Sequence, residues 1–146
     1  MLSMDKEAIK ELTEMEAVPI CNILGSLLGR SVKMSVSNVE ETDTGALAES
    51  LPHFNVVIES RKAVRGMSAD QLYIFAKEDM IRLTNYIMGV PVDTLSPLDE
   101  IALSTLREVA SQCVGAAMDE LNDFLGRDMR DSITRISAFD LSLIHI

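Results

Sequence analysis

The sequence predicts an α+β fold: a mostly antiparallel sheet with two long, pseudo-two-fold-related helices on one face and a shorter helix after a hairpin. Three observations predict it. Residues 5–29 and 97–125 space their apolar side chains at helical period, and each stretch runs into a Gly-Arg pair, Gly29-Arg30 and Gly126-Arg127. Residues 55–76 hold two β-rich runs separated by Arg65-Gly66, a hairpin signature. A shift of the chain against itself by about 97 residues superposes the two helical stretches.

The first helix carries Ala8, Ile9, Leu12, Ile20, Ile23, Leu24, Leu27 and Leu28 on one face. Pro19 lies inside it; a proline removes one backbone donor and crowds the preceding turn, so a kink or break is expected near Val18. Gly29 suits the left-handed position that ends a helix. Val32, Met34, Val36 and Val39 then alternate with polar residues and read as a strand, followed by a polar connection over residues 42–52. The hairpin comes next: residues 55–63, the Arg65-Gly66 turn, and residues 71–76. Residues 77–88 return to helical spacing through Met80, Ile81, Leu83, Tyr86 and Ile87, closed by Gly89.

The clearest element spans residues 97–125. Ser96 is placed to cap it, with Pro97 at the first helical position and Asp99 at the third. Its apolar face runs through Leu98, Ile101, Ala102, Leu106, Val109, Cys113, Ala117, Leu121 and Phe124. A strand follows at residues 129–139, and the chain ends in the apolar run 141–146.

At the 97-residue shift, Leu27-Leu28-Gly29-Arg30 falls on Phe124-Leu125-Gly126-Arg127, and Leu24 falls on Leu121. Val36 falls on Ile133, Val39 on Ile136, and Glu11 on Glu108. The expectation is a duplication within one domain over residues 1–146, with residues 7–40 matching residues 104–137.

The bulk numbers suit one globular domain. The chain has 146 residues, 47% hydrophobic and 25% charged. It has no Trp and only four Phe and two Tyr, so nine Met and the aliphatic residues must fill the core. The net charge of −10 argues against nucleic acid, because no excess of Lys and Arg exists to neutralise phosphates. It argues equally against an anionic membrane surface. No apolar stretch is long enough to span a bilayer and residues 1–11 have no signal-peptide character, so the expected location is cytoplasmic without membrane insertion.

Cys21 and Cys113 are too few for a zinc site or a disulfide framework, and their apolar neighbours suggest buried free thiols. His53 and His145 have no acid or Cys at ligand spacing, so no metal is expected, and nothing signals a cofactor. The Gly25–Gly29 stretch lacks the Gly-Lys-Ser/Thr ending of a phosphate loop. Arg61, Lys62 and Arg65 form the only basic cluster, read as a solvated hairpin tip, with a docking patch for an acidic partner as the minor alternative.

One polar pattern remains. Ser104, Glu108 and Ser111 are spaced i, i+4, i+7, which puts them on one helix face opposite the apolar stripe. The matched positions on the first helix are Glu7, Glu11 and Glu14. Taken alone, such stripes read as solvated helix faces.

Together, however, the pattern resembles the CheC/FliY/CheX family of bacterial chemotaxis phosphatase and flagellar motor switch domains. In that family the helix carries Asp or Ser, then Glu four residues later, then Asn three after that, followed by a Gly. Here Ser104, Glu108, Ser111 and Gly115 hold those places. The flank Leu98-Asp99-Glu100-Ile101-Ala102-Leu103, the hairpin and the helix after it are similar too. The resemblance covers residues 7–139 and is nearest to FliY-type switch domains.

The resemblance implies a CheC-like fold and a CheY-type response regulator or flagellar switch proteins as partners. It implies a face built from Ser104, Glu108, Ser111, Glu7 and Glu11. In the family, Glu and Asn act on the regulator's aspartyl phosphate: the amide orients the attacking water and the Glu meets a basic residue nearby, while the magnesium belongs to the regulator. Phosphoryl transfer to water asks mainly for positioning, which fits an amide that both donates and accepts.

This sequence departs at the decisive residue, with Ser111 on the second helix and Glu14 on the first. Ser reaches less far, and Glu14 would bring negative charge toward a phosphoryl group. The expectation is therefore a binding domain with weak or lost phosphatase activity. The alternative is an active CheC-like phosphatase using Glu108 with Ser111, and Glu11 with Glu14. A second departure is length, because family members continue into a further hairpin where this chain has residues 141–146. That suggests either a fragment of a longer switch protein or a sheet completed by a second chain, and an apolar edge there would favour a homodimer.

Overall fold

A computed structural model describes residues 5–140. In chain order it contains α1 (Lys6–Leu28), α2 (Thr44–Ser50), β1 (Phe54–Val64), β2 (Met67–Ala76), α3 (Lys77–Ile87), α4 (Glu100–Leu125) and β3 (Met129–Asp140). The three strands form one antiparallel sheet in the order β2-β1-β3. This is the α+β arrangement that the residue pattern predicts.

The hairpin turns where expected. Arg65 and Gly66 both take positive φ, 46° and 80°, the backbone that joins two right-twisted strands through a two-residue loop. β3 pairs with the other edge of β1, and its register shifts between Glu59 and Ser60. That shift places the extra residue, Thr134, opposite the break, where its hydroxyl donates to the Glu59 carbonyl at 3.2 Å. Ile133 and Ile136, three residues apart, would face opposite sides of a regular strand. The bulge turns both toward α4, where they pack with Ile58 and Val114.

α4 supplies most of the core. Its buried residues repeat at helical period: Ala102, Leu106, Val109, Cys113, Val114, Ala117, Met118 and Leu121. Leu106 packs with Val56 of β1 and Met80 of α3, and Ala117, Met118 and Leu121 pack with Met15 and Ile20 of α1. α1 runs antiparallel to α4: Met15 and Ile20 lie near the C-terminal half of α4, whereas Leu27 lies near Ile101 and Ser104. Ala17 is its only buried residue, and an apolar cavity of about 230 Å³ remains between Ile20, Leu24, Met34 and the Tyr73 and Phe75 side of β2.

Five expectations are corrected. Of the kink or break expected near Val18, the break is absent: the helix continues through Pro19. Losing the proline N–H and crowding the turn costs about 3 kcal/mol, and the long helix docked on α4 offsets it. The polar connection over residues 42–52 contains α2, started by Asp43, whose carboxylate accepts from the Ala46 N–H at 2.8 Å. α4 begins at Glu100 with Asp99 as its cap, accepting from the Ala102 N–H at 2.9 Å; Ser96 and Pro97 lie outside the helix. A carboxylate at the N-cap satisfies an orphan donor and also favours the helix dipole. Ile101 and Phe124, counted on the apolar face, are 65% and 67% exposed, because they lie beyond the arc of α4 that the sheet and α1 cover.

The fifth correction concerns residues 31–43, which form neither strand nor helix. Two causes are visible. No described strand shares a hydrogen-bonded ladder with this segment. After α4, by contrast, the Asn122 side chain clamps the first residue of β3, with Nδ2 donating to the Met129 carbonyl at 2.9 Å and Oδ1 accepting from its N–H at 2.7 Å. The position matched to Asn122 is Gly25, which has no side chain to do this. Both helices nonetheless end alike: Gly29 and Gly126 are left-handed caps donating to the Gly25 and Asn122 carbonyls. The apolar run 141–146 lies outside the described residues.

Candidate functional site

The polar stripe of α4 is open to solvent. Ser104, Glu108 and Ser111 are all exposed, on the side of the helix opposite Leu106, Val109 and Cys113. Gln112 donates from Nε2 to the Glu108 Oε1 at 3.3 Å, a one-turn contact that restricts the carboxylate without neutralising it. On α1, Glu7, Glu11 and Glu14 are exposed as well.

The two stripes do not meet in one site. Ser104 and Glu108 border a groove of about 620 Å³ formed by the N-terminal half of α4, Leu27 at the end of α1 and Ile87 at the end of α3. Glu7 instead borders a smaller recess of about 220 Å³ with Lys6, Lys10 and residues 36–39. Ser111 lines neither.

The groove owes its shape to a tie between α1 and α3. The Tyr86 hydroxyl donates to the Leu28 carbonyl at 2.7 Å, satisfying one of the acceptors left over at a helix C-terminus. The Arg30 guanidinium lies over the same ring, 5.4 Å from its centre. These contacts bring Leu27 and Ile87 together at one wall, while Glu100, Ile101 and Glu108 form the other. The lining carries two carboxylates and no basic side chain.

Sequence reading alone missed the groove, because Leu27, Ile87 and Ile101 come from three separate elements. The spacing of Ile101 next to Glu100 on α4 was visible, but helical period assigned it to the core.

A second polar cluster lies under α1. The Lys62 ammonium of β1 is 2.9 Å from Glu16 Oε1, with each side chain 18% exposed. Asp131 of β3 is directly opposite Lys62 in the sheet register, and its buried Oδ1 has no hydrogen-bond partner among the described residues. Nearby, the hydroxyls of Tyr73 and Ser60 both donate to Gln71 Oε1, at 3.3 and 3.4 Å. Burial pushes the Tyr73 phenol up to about 12, and the carboxylates of Asp131 and Glu16 add to the effect. Lys62 therefore does not belong to a solvated basic tip: it is spent inside the domain. Arg61 is engaged as well, 3.0 Å from Asp70 across the hairpin.

Both cysteines are free; Cys113 is buried and Cys21 half-buried. Burial pushes the Cys113 thiol up, with a smaller contribution from Cys21, which disfavours the reactive thiolate. Among the described residues, no group of three or more His, Cys, Asp or Glu could hold a metal ion, and no helix is long and apolar enough to cross a membrane.

No protein-family model matches the chain, and no curated protein does. Solved structures do match. FliY from Thermotoga maritima superposes with a TM-score of 0.86 at 21% identity, covering 98% of this chain and 73% of that one. FliM in the FliG-FliM complex from H. pylori gives 0.74 at 12% identity, covering 96% and 76%. A CheC-like protein from Shewanella sp. PV-4 gives 0.68 at 13% identity, covering 89% and 77%.

The fold is CheC/FliY/CheX-like.

Within the CheC-like fold, α4 is the helix on which Ser104, Glu108 and Ser111 stand, and its outer face is unobstructed by the rest of the described chain. A macromolecular surface can approach Glu108 directly.

Proposed function

We propose that this chain is a chemotaxis or flagellar switch domain that binds a phosphorylated CheY-type response regulator through the outer face of α4, with weak or lost phosphatase activity. One observation carries the reading: Glu108 stands exposed on a CheC-like α4, next to an open groove and within a turn of Ser104 and Ser111. A solvated carboxylate on a rigid helix suits a contact with a basic side chain at a regulator's phosphorylation site. The hydroxyl of Ser111 is too short to take over the reach of an amide, so the water-orienting part of the chemistry is the part that is weakened. The duplication read at the 97-residue shift belongs to the same proposal, with Glu7, Glu11 and Glu14 on α1 as the degenerate counterpart.

A second reading rests on the FliM structure solved in complex with FliG. In it the domain joins neighbouring switch proteins and need not meet a regulator at all.

Two measurements separate these readings: the decay of a phosphorylated CheY-type regulator with and without the protein, and a binding titration against the phosphorylated and unphosphorylated forms. Tight binding restricted to the phosphorylated form, with decay accelerated little or not at all, is the expected result. Rapid decay that disappears in Glu108→Ala makes the chain an active phosphatase instead. Absence of binding to either form removes the regulator reading and leaves the switch-protein one.

A further inference from the structure

The groove beside Glu108 differs in kind from the recess beside Glu7 on α1. Its walls are apolar at Leu27, Ile87 and Ile101, and Ile101 is 65% exposed on an ordered helix. Glu100 and Glu108 stand on the same helix, two turns apart, and no Lys or Arg lines the groove to offset them. The recess next to Glu7 has the opposite character: it is smaller, it has Lys6 and Lys10 beside the carboxylate, and it lacks a large exposed apolar residue. Glu11 and Glu14 line neither.

From this asymmetry we infer that the chain docks one partner, not two, and that the docking site is the α1-α3-α4 groove. The occupant is a protein segment that presents an exposed aliphatic or aromatic side chain flanked by Lys or Arg. The apolar side chain seats between Leu27, Ile87 and Ile101, and its cationic neighbours pair with Glu100 and Glu108. Charge complementarity selects this occupant: the acidic rim repels an acidic segment, and the protein's net charge of −10 steers a basic one toward it. The apolar wall supplies affinity that rim charges alone do not give, since exposed pairs contribute little. The inference rests on the regulator reading above and adds where, by what chemistry and how many times the partner binds.

The test is isothermal titration of the full chain with a CheY-type regulator held in its active form by beryllofluoride. The expected stoichiometry is one regulator per chain. Ile101→Asp, at an exposed position whose change leaves the core intact, should weaken binding at least tenfold, and Glu100→Lys several-fold with a smaller dependence on salt. Leu72→Asp, on an exposed position of β2 outside the groove, should bind like the parent. Circular dichroism and thermal unfolding of each variant separate lost docking from lost folding. Two regulators per chain, or unchanged binding by both Ile101→Asp and Glu100→Lys, overturns the groove while leaving the regulator reading intact. A parent protein that binds no regulator overturns both.

Discussion

Lys62 of β1 and Glu16 of α1 form an ion pair of 2.9 Å in which each side chain is only 18% exposed. The pair joins residues 46 apart in sequence and fastens the middle of α1 to the sheet. α1 has one buried residue, Ala17, so this polar tie has less apolar packing beside it than α4 has.

Removing Glu16 takes away the carboxylate paired with the largely buried Lys62 ammonium and leaves it only Asp131 across the sheet. Glu16→Ala should lower unfolding free energy by about 2 kcal/mol, more than an exposed pair would. Urea denaturation of Glu16→Ala, Lys62→Met and the double variant gives the coupling; a double variant less damaged than the sum of the singles is the expected outcome. Additive losses would show that the pair contributes nothing beyond its parts.

Asn122 should matter more than an exposed helix-end amide usually does. Its side chain makes both hydrogen bonds of the clamp on Met129, so Asn122→Ala leaves two backbone groups at the start of β3 to find other partners. A loss of about 1–2 kcal/mol is expected, with faster amide exchange at residues 129–131 than elsewhere in the sheet. Asn85 plays the same part for the loop between α3 and α4, donating to the Val92 and Thr94 carbonyls at 3.1 and 2.8 Å. Asn85→Ala should loosen that loop and expose the buried face of α3.

Tyr73 makes stability depend on alkaline pH. Its phenol is pushed up to about 12 in the folded chain, against an ordinary 10. Between those values the unfolded chain releases the proton and the folded chain holds it, so the unfolded state gains as pH rises. Stability contributed by this group is intact below about pH 10 and is lost progressively toward pH 12, on the order of 1–2 kcal/mol given the ring's partial exposure. Thermal melts from pH 9 to 11.5 should show a steeper decline in the parent than in Tyr73→Phe. Parallel declines would mean that other groups dominate.

Ser111→Asn restores the amide at the position where the resemblance calls for one. Regulator dephosphorylation should rise at least tenfold, and Glu108→Ala in the same background should abolish the gain. The substitution lies on an exposed helical position, so stability should shift by less than about 0.5 kcal/mol. Regulator decay that does not change would remove the missing amide as the reason for weak activity.

Much of the fold was legible in the residues because local chemistry decides it. The Arg65-Gly66 turn, the Gly29 and Gly126 caps, and the period of Leu106, Val109, Cys113, Ala117 and Leu121 each depend on a few neighbours in the chain. The polar stripe on α4 follows from the same period, so the exposure of Ser104, Glu108 and Ser111 could be read from spacing.

What the chain could not show by itself is wherever one segment needs another. The alternation at Val32, Met34, Val36 and Val39 fits a strand, but a strand exists only with a partner across a ladder, and none of the described strands pairs with it. Ile101 fits the apolar period, but its burial depends on what α1 and the sheet reach, and they stop short of it. Lys62 reads as a surface charge until α1 sets Glu16 on it. The sequence by itself determined the hairpin, the three longer helices, the glycine caps that end α1 and α4 and the outward face of α4, because backbone preference and helical period act over a few residues. Only the tertiary structure decided the bulge at Thr134, the groove between three helices and the polar tie beneath α1, because those depend on contacts between segments whose separation in the chain carries no record of their distance in space.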